Sequence, residues 1–315
     1  MIPRLAIVVP CYNESEILPS TITSLSSFLE ELRNANRIRG DSYVICVDDG
    51  SQDGTWGVIC ASHAAEPDRI KGIKLAGNVG HQKALLAGLH KVRGKADCAV
   101  SIDADLQDDF RAIVSMLDAF KQGAEVVYGV RQERRSDPRL KRWTALGFYK
   151  LMKLLGVGII ENHADFRLLG AKALECLAAY QESNLFLRGI VPSMGFATRV
   201  VMYDRKPRAA GVSKYPLRKM LSFAWEGISS FSSTPLRLIS FAGLVLFMLS
   251  VAAATYSLVA YLTGHTIVGW TSVAIALYML GGIQLLAIGI LGEYLAKIYF
   301  ETKHRPAYFI EHDLQ

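Results

Sequence analysis

The sequence predicts an α/β domain with a mostly parallel sheet, followed by two membrane helices towards the C-terminus. In the N-terminal part of the chain, short runs rich in Val, Ile and Leu alternate with amphipathic stretches. This order is typical of a parallel sheet with helices on both faces. Further on, the interval between Arg237 and Glu293 contains no Lys, Arg, Asp or Glu, although 20% of the 315 residues are charged. An interval of that length accommodates two spans of about 20 residues each, joined by a turn.

The elements of the α/β domain can be placed along the chain. The predicted strands are Leu5–Val9, Tyr43–Val47, Ile70–Leu75, Cys98–Ile102 and Glu125–Tyr128. The predicted helices are Glu16–Arg33, Gly54–His63, Lys83–Val92 and Arg111–Lys121. The chain has neither a Gly-x-Gly-x-x-Gly pattern after the first strand nor a Gly-x-x-x-x-Gly-Lys-Ser/Thr loop. A dinucleotide-binding domain and a P-loop ATPase are therefore disfavoured.

The membrane helices are predicted from about Leu238 to Leu262 and from about Thr271 to Leu291, with a turn around Thr263-Gly264-His265. The basic residues that flank this hairpin are Arg218, Lys219 and Arg237 before it and Lys297, Lys303, His304 and Arg305 after it. Because cytoplasmic flanks are enriched in Lys and Arg, the N-terminal domain and the C-terminal tail are both predicted to be cytoplasmic, at the plasma (inner) membrane. A buried hairpin in a soluble core is the alternative. The first apolar run is too short for a signal peptide, so none is expected.

The domain organisation follows from these predictions. We expect an α/β domain over 1–215, an amphipathic juxtamembrane helix over 216–235, a transmembrane hairpin over 236–297 and a cytoplasmic tail over 298–315. The juxtamembrane helix is predicted from an apolar stripe at helical spacing, formed by Leu217, Leu221, Ala224, Ile228 and Phe231. Such a stripe suits a helix lying on the membrane surface, and packing into a protein core is the alternative.

Cysteine usage and net charge narrow the class of protein. The five cysteines are scattered and include no Cys-x-x-Cys pair, which argues against a disulfide framework and against a zinc site. The net charge of +6 fits a protein that lies against anionic lipid. We predict a membrane partner and no nucleic-acid partner.

The most informative motif is Asp103-Ala104-Asp105-Leu106-Gln107, directly after the fourth predicted strand. Ligands of open α/β sheets bind beyond the carboxyl ends of the strands. Two carboxylates and an amide oxygen at alternate positions, from Asp103, Asp105 and Gln107, can converge on a hard divalent cation, Mg²⁺ or Mn²⁺. A solvated acidic turn that caps the next helix is the alternative.

Three further polar clusters follow the first three predicted strands. They are Pro10-Cys11-Tyr12-Asn13-Glu14, Asp48-Asp49-Gly50-Ser51 with Asp53-Gly54-Thr55, and Asn78-Val79-Gly80-His81-Gln82-Lys83. Each cluster alone fits turn and helix-cap chemistry. Their joint placement at successive strand ends is what a nucleotide pocket requires.

Together, these motifs resemble family 2 glycosyltransferases, which have a Rossmann-like GT-A catalytic fold. The Asp-Ala-Asp-Leu-Gln-Asp version and the C-terminal membrane helices are similar to polyprenyl-phosphate glycosyltransferases, such as dolichyl-phosphate mannose synthases and the bactoprenol-phosphate glucosyltransferases of O-antigen modification. The resemblance implies a catalytic role for Asp105 through a bound metal. It implies a set of substrate-binding residues: Pro10, Tyr12, Asn13, Glu14, Asp48, Asp49, Ser51, Gly80, Lys83, Asp103 and Ala104. Asp108-Asp109 departs from the Asp-Pro of many relatives, and Cys11 replaces the commoner Val.

The resemblance also implies an acceptor side in the C-terminal half. The segment from His163 to Leu168 is similar to the family segment whose aspartate, here Asp165, lies near the acceptor. Residues implied to lie at the acceptor or at phosphate groups are Arg167, Arg208, Ser213 and Lys214, with Asn184-Leu185-Phe186-Leu187-Arg188-Gly189 as an adjoining loop. A second basic run comprises Arg131, Arg134, Arg135, Arg139, Lys141 and Arg142. We predict Asp105, Asp165 and Arg131 as the catalytic residues, with Arg131 and Lys214 helping to stabilise charge on the departing phosphate. A solvated charged face is the alternative for the basic runs.

The implied reaction is a single inverting transfer of a sugar from a nucleotide sugar to undecaprenyl phosphate or another polyprenyl phosphate, yielding a donor for cell-envelope glycans. UDP-glucose is the expected donor, with mannose, N-acetylglucosamine and aminoarabinose as alternative sugars. A phosphate monoester is mostly dianionic near neutrality because its second pKa is about 6. We therefore expect Asp165 to position the acceptor, or to orient Arg167, rather than to remove a proton.

Two other functions are weighed against this one. A processive polysaccharide synthase shares the nucleotide motifs, but Arg139-Leu140-Lys141-Arg142-Trp143 lacks the Gln of the synthase Gln-x-x-Arg-Trp motif and precedes Asp165. A membrane-anchored sensor of nucleotide sugars without turnover would not need the acidic motif and the acceptor segment. The resemblance further implies a homo-oligomer, expected to be a tetramer.

Overall fold

The computed structural model describes residues 2–131, 163–180, 182, 187–204, 234–263 and 269–315. These residues belong to two compact units. The described part of the first unit is the N-terminal α/β domain up to residue 204 together with residues 304–315, and that of the second unit is residues 234–263 and 269–303. The C-terminal residues thus belong to the same unit as the α/β domain.

The first unit alternates strands and helices as predicted. Its strands are β1 (Leu5–Cys11), β2 (Tyr43–Asp48), β3 (Ile70–Leu75), β4 (Cys98–Ser101), β5 (Val126–Arg131), β6 (His163–Gly170), β7 (Thr198–Tyr203) and β8 (Ile310–Leu314). Its helices are α1 (Leu18–Asn34), α2 (Thr55–Ala65), α3 (His81–Val92), α4 (Ile113–Lys121), α5 (Ala171–Leu177) and α6 (Leu187–Ser193), with a 3₁₀ turn at Phe110–Ala112 before α4. The five predicted strands and four predicted helices are confirmed to within a few residues at their ends.

The strands form one sheet in the order β7-β5-β6-β4-β1-β2-β3-β8. β1 pairs in parallel with β2 and with β4, and β2 pairs in parallel with β3. All residues of β1, β2 and β4 are buried, which explains their continuous apolar runs, because a parallel sheet is covered on both faces. The chain leaves β1 towards β2 and β3 and then crosses back to β4, so a crevice opens at the carboxyl ends of β1 and β4.

β6 is the antiparallel member of this part of the sheet. It lies between β4 and β5 and pairs in the antiparallel sense with both strands. In this pairing, Arg167 of β6 lies opposite Ser101 of β4. The antiparallel direction brings Asp165, near the start of β6, to the edge of the sheet where β4 ends.

β8 was not predicted from the sequence. It pairs antiparallel with β3, with Gly72 opposite Leu314. Lys74 forms an ion pair with Glu311 at 2.8 Å, and the Trp56 ring stacks on His312 at 6.0 Å. The segment Ile310–Leu314 is mostly polar or charged, so it carries no apolar run from which a strand could be recognised.

The second unit contains two long helices, α7 (Thr234–Leu262) and α8 (Trp270–Thr302). α7 ends where the first span was predicted to end, but α8 continues beyond Leu291 through Glu293 and Lys297. The predicted end of the second helix was too early because charged residues limit a membrane span without interrupting a helix. The sequence predicted two membrane spans, whereas among the described residues one segment, Met279–Thr302, is long and apolar enough to cross a membrane. Residues 216–233 of the predicted juxtamembrane helix lie outside the described residues, as do Gly264 and His265 of the predicted turn.

Candidate active site

The loops that follow β1 and β2 are joined by backbone hydrogen bonds to short polar side chains. The Asn13 N–H donates to Ser51 Oγ at 2.9 Å, and Asn13 Oδ1 accepts from the Gln52 N–H at 2.9 Å. The Glu14 N–H donates to Thr55 Oγ1 at 2.9 Å. Asn13 has a φ of 54°, in the left-handed region that Asn tolerates better than most residues. These bonds make the two loops a single rigid wall.

The two aspartates at the end of β2, Asp48 and Asp49, differ in their hydrogen bonds. Asp49 accepts the Val79 N–H at 2.8 Å and the Gly80 N–H at 3.0 Å, so it caps the start of α3. Burial raises the pKa of Asp49, against the effect of these hydrogen bonds. Asp48 accepts the Ser51 N–H at 3.1 Å through Oδ1, whereas its buried Oδ2 has no hydrogen-bond partner among the described residues. An unsatisfied buried acceptor of this kind suits an N–H donor from a ligand.

Gly50 lies where the β2 loop meets the loop after β3. Its φ is +67°, and a Cβ placed there would lie 2.6 Å from the Gly77 carbonyl carbon and 2.7 Å from the Asn78 nitrogen. Both the backbone conformation and the close approach therefore require glycine. We refer to the loops after β1, β2 and β3 together as the strand-end loops.

The acidic motif after β4 forms a tight turn. Leu106 has a φ of 43°, which is strained for a residue with a branched side chain and costs about 1–3 kcal/mol. Its side chain packs against the hydrophobic core, and the Ala104 carbonyl accepts the Thr21 hydroxyl at 2.6 Å. These contacts on both sides of Asp105 hold the turn in this conformation.

The residues of this turn suit a divalent cation that is shared with a substrate. Among the described residues, no group of three or more His, Cys, Asp or Glu side chains is arranged to hold a metal on its own. Mg²⁺, however, is usually held by one or two carboxylates together with substrate phosphates and water, and Asp103 and Asp105 supply two carboxylates. Gln107 Nε2 donates to Asp105 Oδ2 at 2.5 Å, so the Gln107 amide must rotate to offer its oxygen to a metal.

The charges around the turn favour binding of a cation. Desolvation raises the pKa of Asp103, and the charges of Asp165, Asp108 and Asp105 raise it further, against the opposing effect of His81. Burial likewise raises the pKa of Glu14, helped by the charges of Asp105, Asp53 and Asp103. Negative charge thus accumulates at the carboxyl ends of β1 and β4. A bound cation would neutralise it.

Asp165 is the centre of a second group of polar side chains. The Arg167 Nη2 donates to Asp165 Oδ1, and Arg188 donates to both carboxylate oxygens, from Nε and Nη2, at 3.3 Å each. Gln82 Nε2 lies 3.4 Å from Asp165 Oδ2, and His81 Nε2 lies 3.5 Å from the same oxygen. We call these five residues the Asp165 cluster.

The Asp165 cluster is connected to the acidic motif. His81 Nε2 also lies 3.7 Å from Asp103 Oδ1. Desolvation lowers the pKa of His81, but the hydrogen bond to Asp165 and the charges of Asp103 and Asp165 outweigh it, so the pKa is raised overall. Burial would raise the pKa of Asp165, but His81, Arg167 and Arg188 outweigh burial and hold that pKa well below its usual range. Asp165 is therefore ionised at neutral pH.

Arg131 lies at the end of β5 and contacts a different aspartate. It donates to the buried Asp108 from Nε at 3.1 Å and from Nη2 at 3.3 Å, and its Nε also lies 3.3 Å from the Tyr203 hydroxyl. Burial opposes the charge of Arg131, but the pairing with Asp108 and Tyr203 raises its pKa overall. Arg131 is held next to the acidic motif by Asp108, the residue that follows Gln107.

The remaining predicted site residues fall into two groups. Pro10 is buried in β1, Tyr12 is 44% exposed, and Lys83 is half-buried in the first turn of α3. Other predicted residues lie outside the described residues: Arg208, Ser213, Lys214, Asn184, Leu185, Phe186 and the basic run from Arg134 to Arg142.

Several residues whose side chains contact Asp165 or Arg131 were not assigned as site residues from the sequence. They include His81, Gln82, Asp108, Arg188 and Tyr203. His81 and Gln82 belong to the polar cluster noted after the third predicted strand, and Arg188 belongs to the loop noted beside the acceptor. Their positions in these motifs could have identified them as site residues. Asp108 was noted only as a departure from the Asp-Pro pattern, and the sequence contains no signal for the contact of Tyr203.

The fold and the site agree with a known family of enzymes. A family model described as glycosyl transferase family 2 matches residues 6–178. The chain therefore belongs to glycosyltransferase family 2, and its α/β domain has the Rossmann-like GT-A architecture.

Individual relatives extend over almost the whole chain. The sequence is 52% identical over 312 residues to an uncharacterized glycosyltransferase, YkoT, of Bacillus subtilis (strain 168), covering 99% of this chain and 92% of that protein. It is 37% identical over 314 residues to the bactoprenol glucosyl transferase of Shigella phage SfV, covering 99% of both proteins. Among solved structures, mannosyl-3-phosphoglycerate synthase from Rubrobacter xylanophilus matches with a TM-score of 0.47 at 16% identity, covering 72% of this chain and 73% of that one.

Proposed function

We propose that this glycosyltransferase transfers a sugar, glucose from UDP-glucose, to undecaprenyl phosphate in a single inverting displacement. The observation that carries the proposal is the end-to-end similarity to a bactoprenol glucosyl transferase, which covers 99% of both chains. The similarity is not confined to the family domain at residues 6–178. It includes α7 and α8, the part of the chain that would hold the enzyme at its lipid acceptor.

The donor is proposed to bind along the strand-end loops. The buried Asp48 Oδ2, which has no partner among the described residues, is an acceptor for an N–H of the base. Tyr12 is 44% exposed at the same strand end, where its ring can stack on the base. The rigid wall formed by Asn13, Ser51 and Gln52 fixes the shape of this pocket before a ligand arrives.

The diphosphate of the donor is proposed to lie at Asp103 and Asp105, which would hold Mg²⁺ or Mn²⁺ with Gln107 after rotation of its amide. A bound divalent cation would neutralise the negative charge that develops on the leaving nucleotide diphosphate. The accumulated carboxylate charge at Asp103, Asp105 and Glu14 supports this assignment.

The acceptor is proposed to approach from the side of Asp165. A general base must have a lone pair available for the proton and a pKa near the working pH. Asp165 instead accepts hydrogen bonds from Arg167, Arg188 and Gln82, and its pKa is held low. The lipid phosphate is already mostly dianionic at neutral pH. We therefore assign Asp165 a positioning role for cationic side chains, with Arg131 as a further group that offsets phosphate charge.

The membrane topology is proposed to be two spans, with the catalytic domain and the C-terminal residues in the cytoplasm. β8 pairs with β3, and it follows α8 in the chain. A chain that leaves one side of a membrane and returns to it must cross an even number of times. If α8 crosses the bilayer, α7 must therefore cross it as well. Large apolar side chains on both helices are exposed, including Met248 at 61% and Leu285 at 72%, as expected for contact with lipid.

The reaction is tested with purified full-length protein in detergent, undecaprenyl phosphate and a panel of radiolabelled nucleotide sugars. The panel contains UDP-glucose, GDP-mannose, UDP-N-acetylglucosamine and UDP-aminoarabinose, each with Mg²⁺, with Mn²⁺ and with chelator. We expect one metal-dependent glycolipid, from UDP-glucose. A glycolipid from another donor would correct the sugar alone. A growing polymer, or nucleotide binding without any lipid product, would reject the proposal.

The topology is tested separately in sealed vesicles of known orientation. A single cysteine introduced in the turn between α7 and α8 and another introduced after Leu314 are labelled with a membrane-impermeant reagent. We expect the two positions to react from opposite sides. Labelling of both positions from the same side would contradict the two-span topology.

A further inference from the structure

The Asp165 cluster contains more positive than negative charge, even with His81 neutral. Arg167 and Arg188 each carry a permanent positive charge, and both contact the single carboxylate of Asp165. Charges taken out of water are costly unless they are balanced by opposite charges. The excess positive charge makes this cluster a place where an anion binds favourably.

The two arginines differ in their accessibility. The side chain of Arg167 is 1% exposed, and its Nη1 donates to the Leu187 carbonyl at 3.1 Å. The side chain of Arg188 is 31% exposed. A substrate can therefore reach Arg188, whereas Arg167 is enclosed by the protein.

Arg188 is held in place through its neighbour in the chain and through its own side chain. The Leu187 N–H donates to Gln82 Oε1 at 3.2 Å, and the Leu187 carbonyl accepts from Arg167. The backbone immediately before Arg188 is thus fixed on both sides of Leu187. Two hydrogen bonds to Asp165 then orient the guanidinium. A group held in this way loses little conformational entropy when a ligand binds.

Arg188 also lies close to the acidic motif. It contacts Asp165, His81 lies 3.5 Å from Asp165 Oδ2, and the same His81 nitrogen lies 3.7 Å from Asp103 Oδ1. Two side chains therefore connect Arg188 with the carboxylate proposed to hold the metal. In the proposed reaction, the phosphate groups of donor and acceptor must meet in this part of the crevice.

We propose that Arg188 binds a phosphate group of a substrate, and that Asp165 and Gln82 are positioning residues for Arg188. The inference rests on the proposed function for the identity of the substrates. A planar guanidinium matches the geometry of phosphate oxygens, and the hydrogen bonds between them are charge-assisted. The phosphate belongs either to the lipid acceptor, as a monoester, or to the nucleotide donor, as a diphosphate.

The first test measures binding to full-length protein in detergent, without turnover. Inorganic phosphate stands in for the acceptor headgroup, and UDP with Mg²⁺ stands in for the donor. Wild type, Arg188→Gln and Arg188→Lys are compared by calorimetry. Arg93→Gln is the control, because Arg93 is a surface residue paired with Glu175 at 3.8 Å.

We expect Arg188→Gln to weaken the binding of one probe by about 10–100-fold, Arg188→Lys to weaken it less, and Arg93→Gln to leave it unchanged. Weaker binding of inorganic phosphate would assign Arg188 to the acceptor, and weaker binding of UDP would assign it to the donor. Unchanged binding of both probes in a folded Arg188→Gln protein would overturn the proposal.

The second test uses steady-state kinetics to separate binding from a merely structural role. If Arg188 binds a phosphate group, Arg188→Gln should raise the KM for one substrate, either undecaprenyl phosphate or the nucleotide sugar. The unfolding temperature should not change. A lower kcat with both KM values unchanged and a lower unfolding temperature would overturn the proposal. If wild-type protein makes no lipid product, the proposed function fails, and the binding comparison still decides the role of Arg188.

Discussion

The strand-end loops and the Asp165 cluster lie in one domain but are stabilised in different ways. In the strand-end loops, backbone N–H groups donate to short side chains such as Asn13, Ser51 and Asp49. In the Asp165 cluster, long side chains from β6, α3 and α6 meet through charge-assisted contacts. The first arrangement fixes a shape, and the second fixes a distribution of charge.

This difference is visible in the pKa values of the aspartates. The pKa of Asp49 is raised because burial outweighs its hydrogen bonds, whereas the pKa of Asp165 is lowered because cationic partners outweigh burial. A wall that needs only a fixed shape can be built from backbone groups without surplus charge. A site for a phosphate needs positive charge that is already oriented, because reorienting it during the reaction costs free energy.

The largest effect is expected for Asp105→Asn, which tests the acidic motif that lies between the strand-end loops and the Asp165 cluster. Replacing the carboxylate should weaken binding of the proposed metal, and turnover should fall about 10³-fold, a loss comparable with removal of a group that stabilises charge in the transition state. The measurement is the rate of lipid product formation at saturating Mg²⁺. Asp109→Asn is the control, because Asp109 caps the 3₁₀ turn and Asn caps equally well. A variant of Asp105 with near-normal turnover would exclude it as a metal ligand.

The next largest effect is expected on stability for Asp165→Asn, which breaks the Asp165 cluster. Removing the charge leaves the buried Arg167 without its counterion, and the free energy of unfolding should fall by about 3 kcal/mol. The matched control is Asp118→Asn, which breaks the more exposed pair of Asp118 with Arg37 and should cost less than about 1 kcal/mol. Both are measured by denaturant unfolding.

Kinetics of the same Asp165 variant test the positioning role. Turnover at saturating acceptor should fall less than in Asp105→Asn, and the KM for the acceptor should rise. Loss of turnover as complete as in Asp105→Asn, with acceptor binding unchanged, would instead establish Asp165 as the general base.

A smaller effect is expected for Gly50→Ala, which breaks the strand-end loops. The added Cβ would contact Gly77 and Asn78 at a backbone φ of +67°, and the expected loss of stability is about 2 kcal/mol. Binding of UDP should weaken in parallel. Gly57→Ala is the control, since a Cβ at Gly57 meets nothing within 4 Å and alanine should stabilise α2 by up to about 1 kcal/mol. Equal stability of the two variants would show that the loops are not held by this close approach.

The smallest effect is expected from pH, and it distinguishes the acidic motif from the Asp165 cluster by the sign of their pKa shifts. The raised pKa of Asp103 means that protons would compete with the proposed metal at a higher pH than at an ordinary aspartate. The affinity for UDP-glucose with Mg²⁺, measured as the pH is lowered from 7.5 to 5.5 and below, should begin to fall at a higher pH than expected for an aspartate of ordinary pKa. UDP-glucose is used because its diphosphate does not titrate in this range.

The stability contributed by Asp165 should not decrease over the same pH range, and protonation of His81, whose pKa is raised by its contact with Asp165, should increase it as the pH falls. Its folded-state pKa is lowered, so its contribution is present above the unfolded-state pKa of about 3.9 and is lost only as the pH falls through the folded-state pKa. Thermal unfolding of Asp165→Asn and wild type at both pH values measures this contribution. A difference between the two proteins that shrinks between pH 7.5 and 5.5 would contradict the lowered pKa.

The strand-end loops were predicted from the sequence because each is a contiguous motif directly after an apolar run. Asn13, Asp48 and Ser51 belong to turn chemistry that is readable over a few residues. The Asp165 cluster could be predicted only in part, because Gln82 and Arg188 reach Asp165 from elements that are distant in the chain. Pairing of this kind depends on how α3 and α6 pack against β6, which local sequence does not encode.

The C-terminal end of α8 and the edge strand β8 were also not predicted from the sequence. The charged residues Glu293 and Lys297 suggested an end to the helix, but they are good helix formers, and α8 continues to Thr302. β8 is formed by a polar segment whose pairing partner, β3, lies near the other end of the chain. Only tertiary structure reveals that pairing.

The position of β8 imposes an order on biogenesis. During synthesis, β3 is made early, and its outer edge must wait until α7 and α8 have left the ribosome before β8 can pair with it. If the proposed two-span topology holds, a chain that inserted with a single crossing would deliver β8 to the wrong compartment and leave that edge exposed to aggregation or proteolysis. Completion of the sheet would then depend on correct insertion, so that only a correctly inserted chain would have a protected sheet edge.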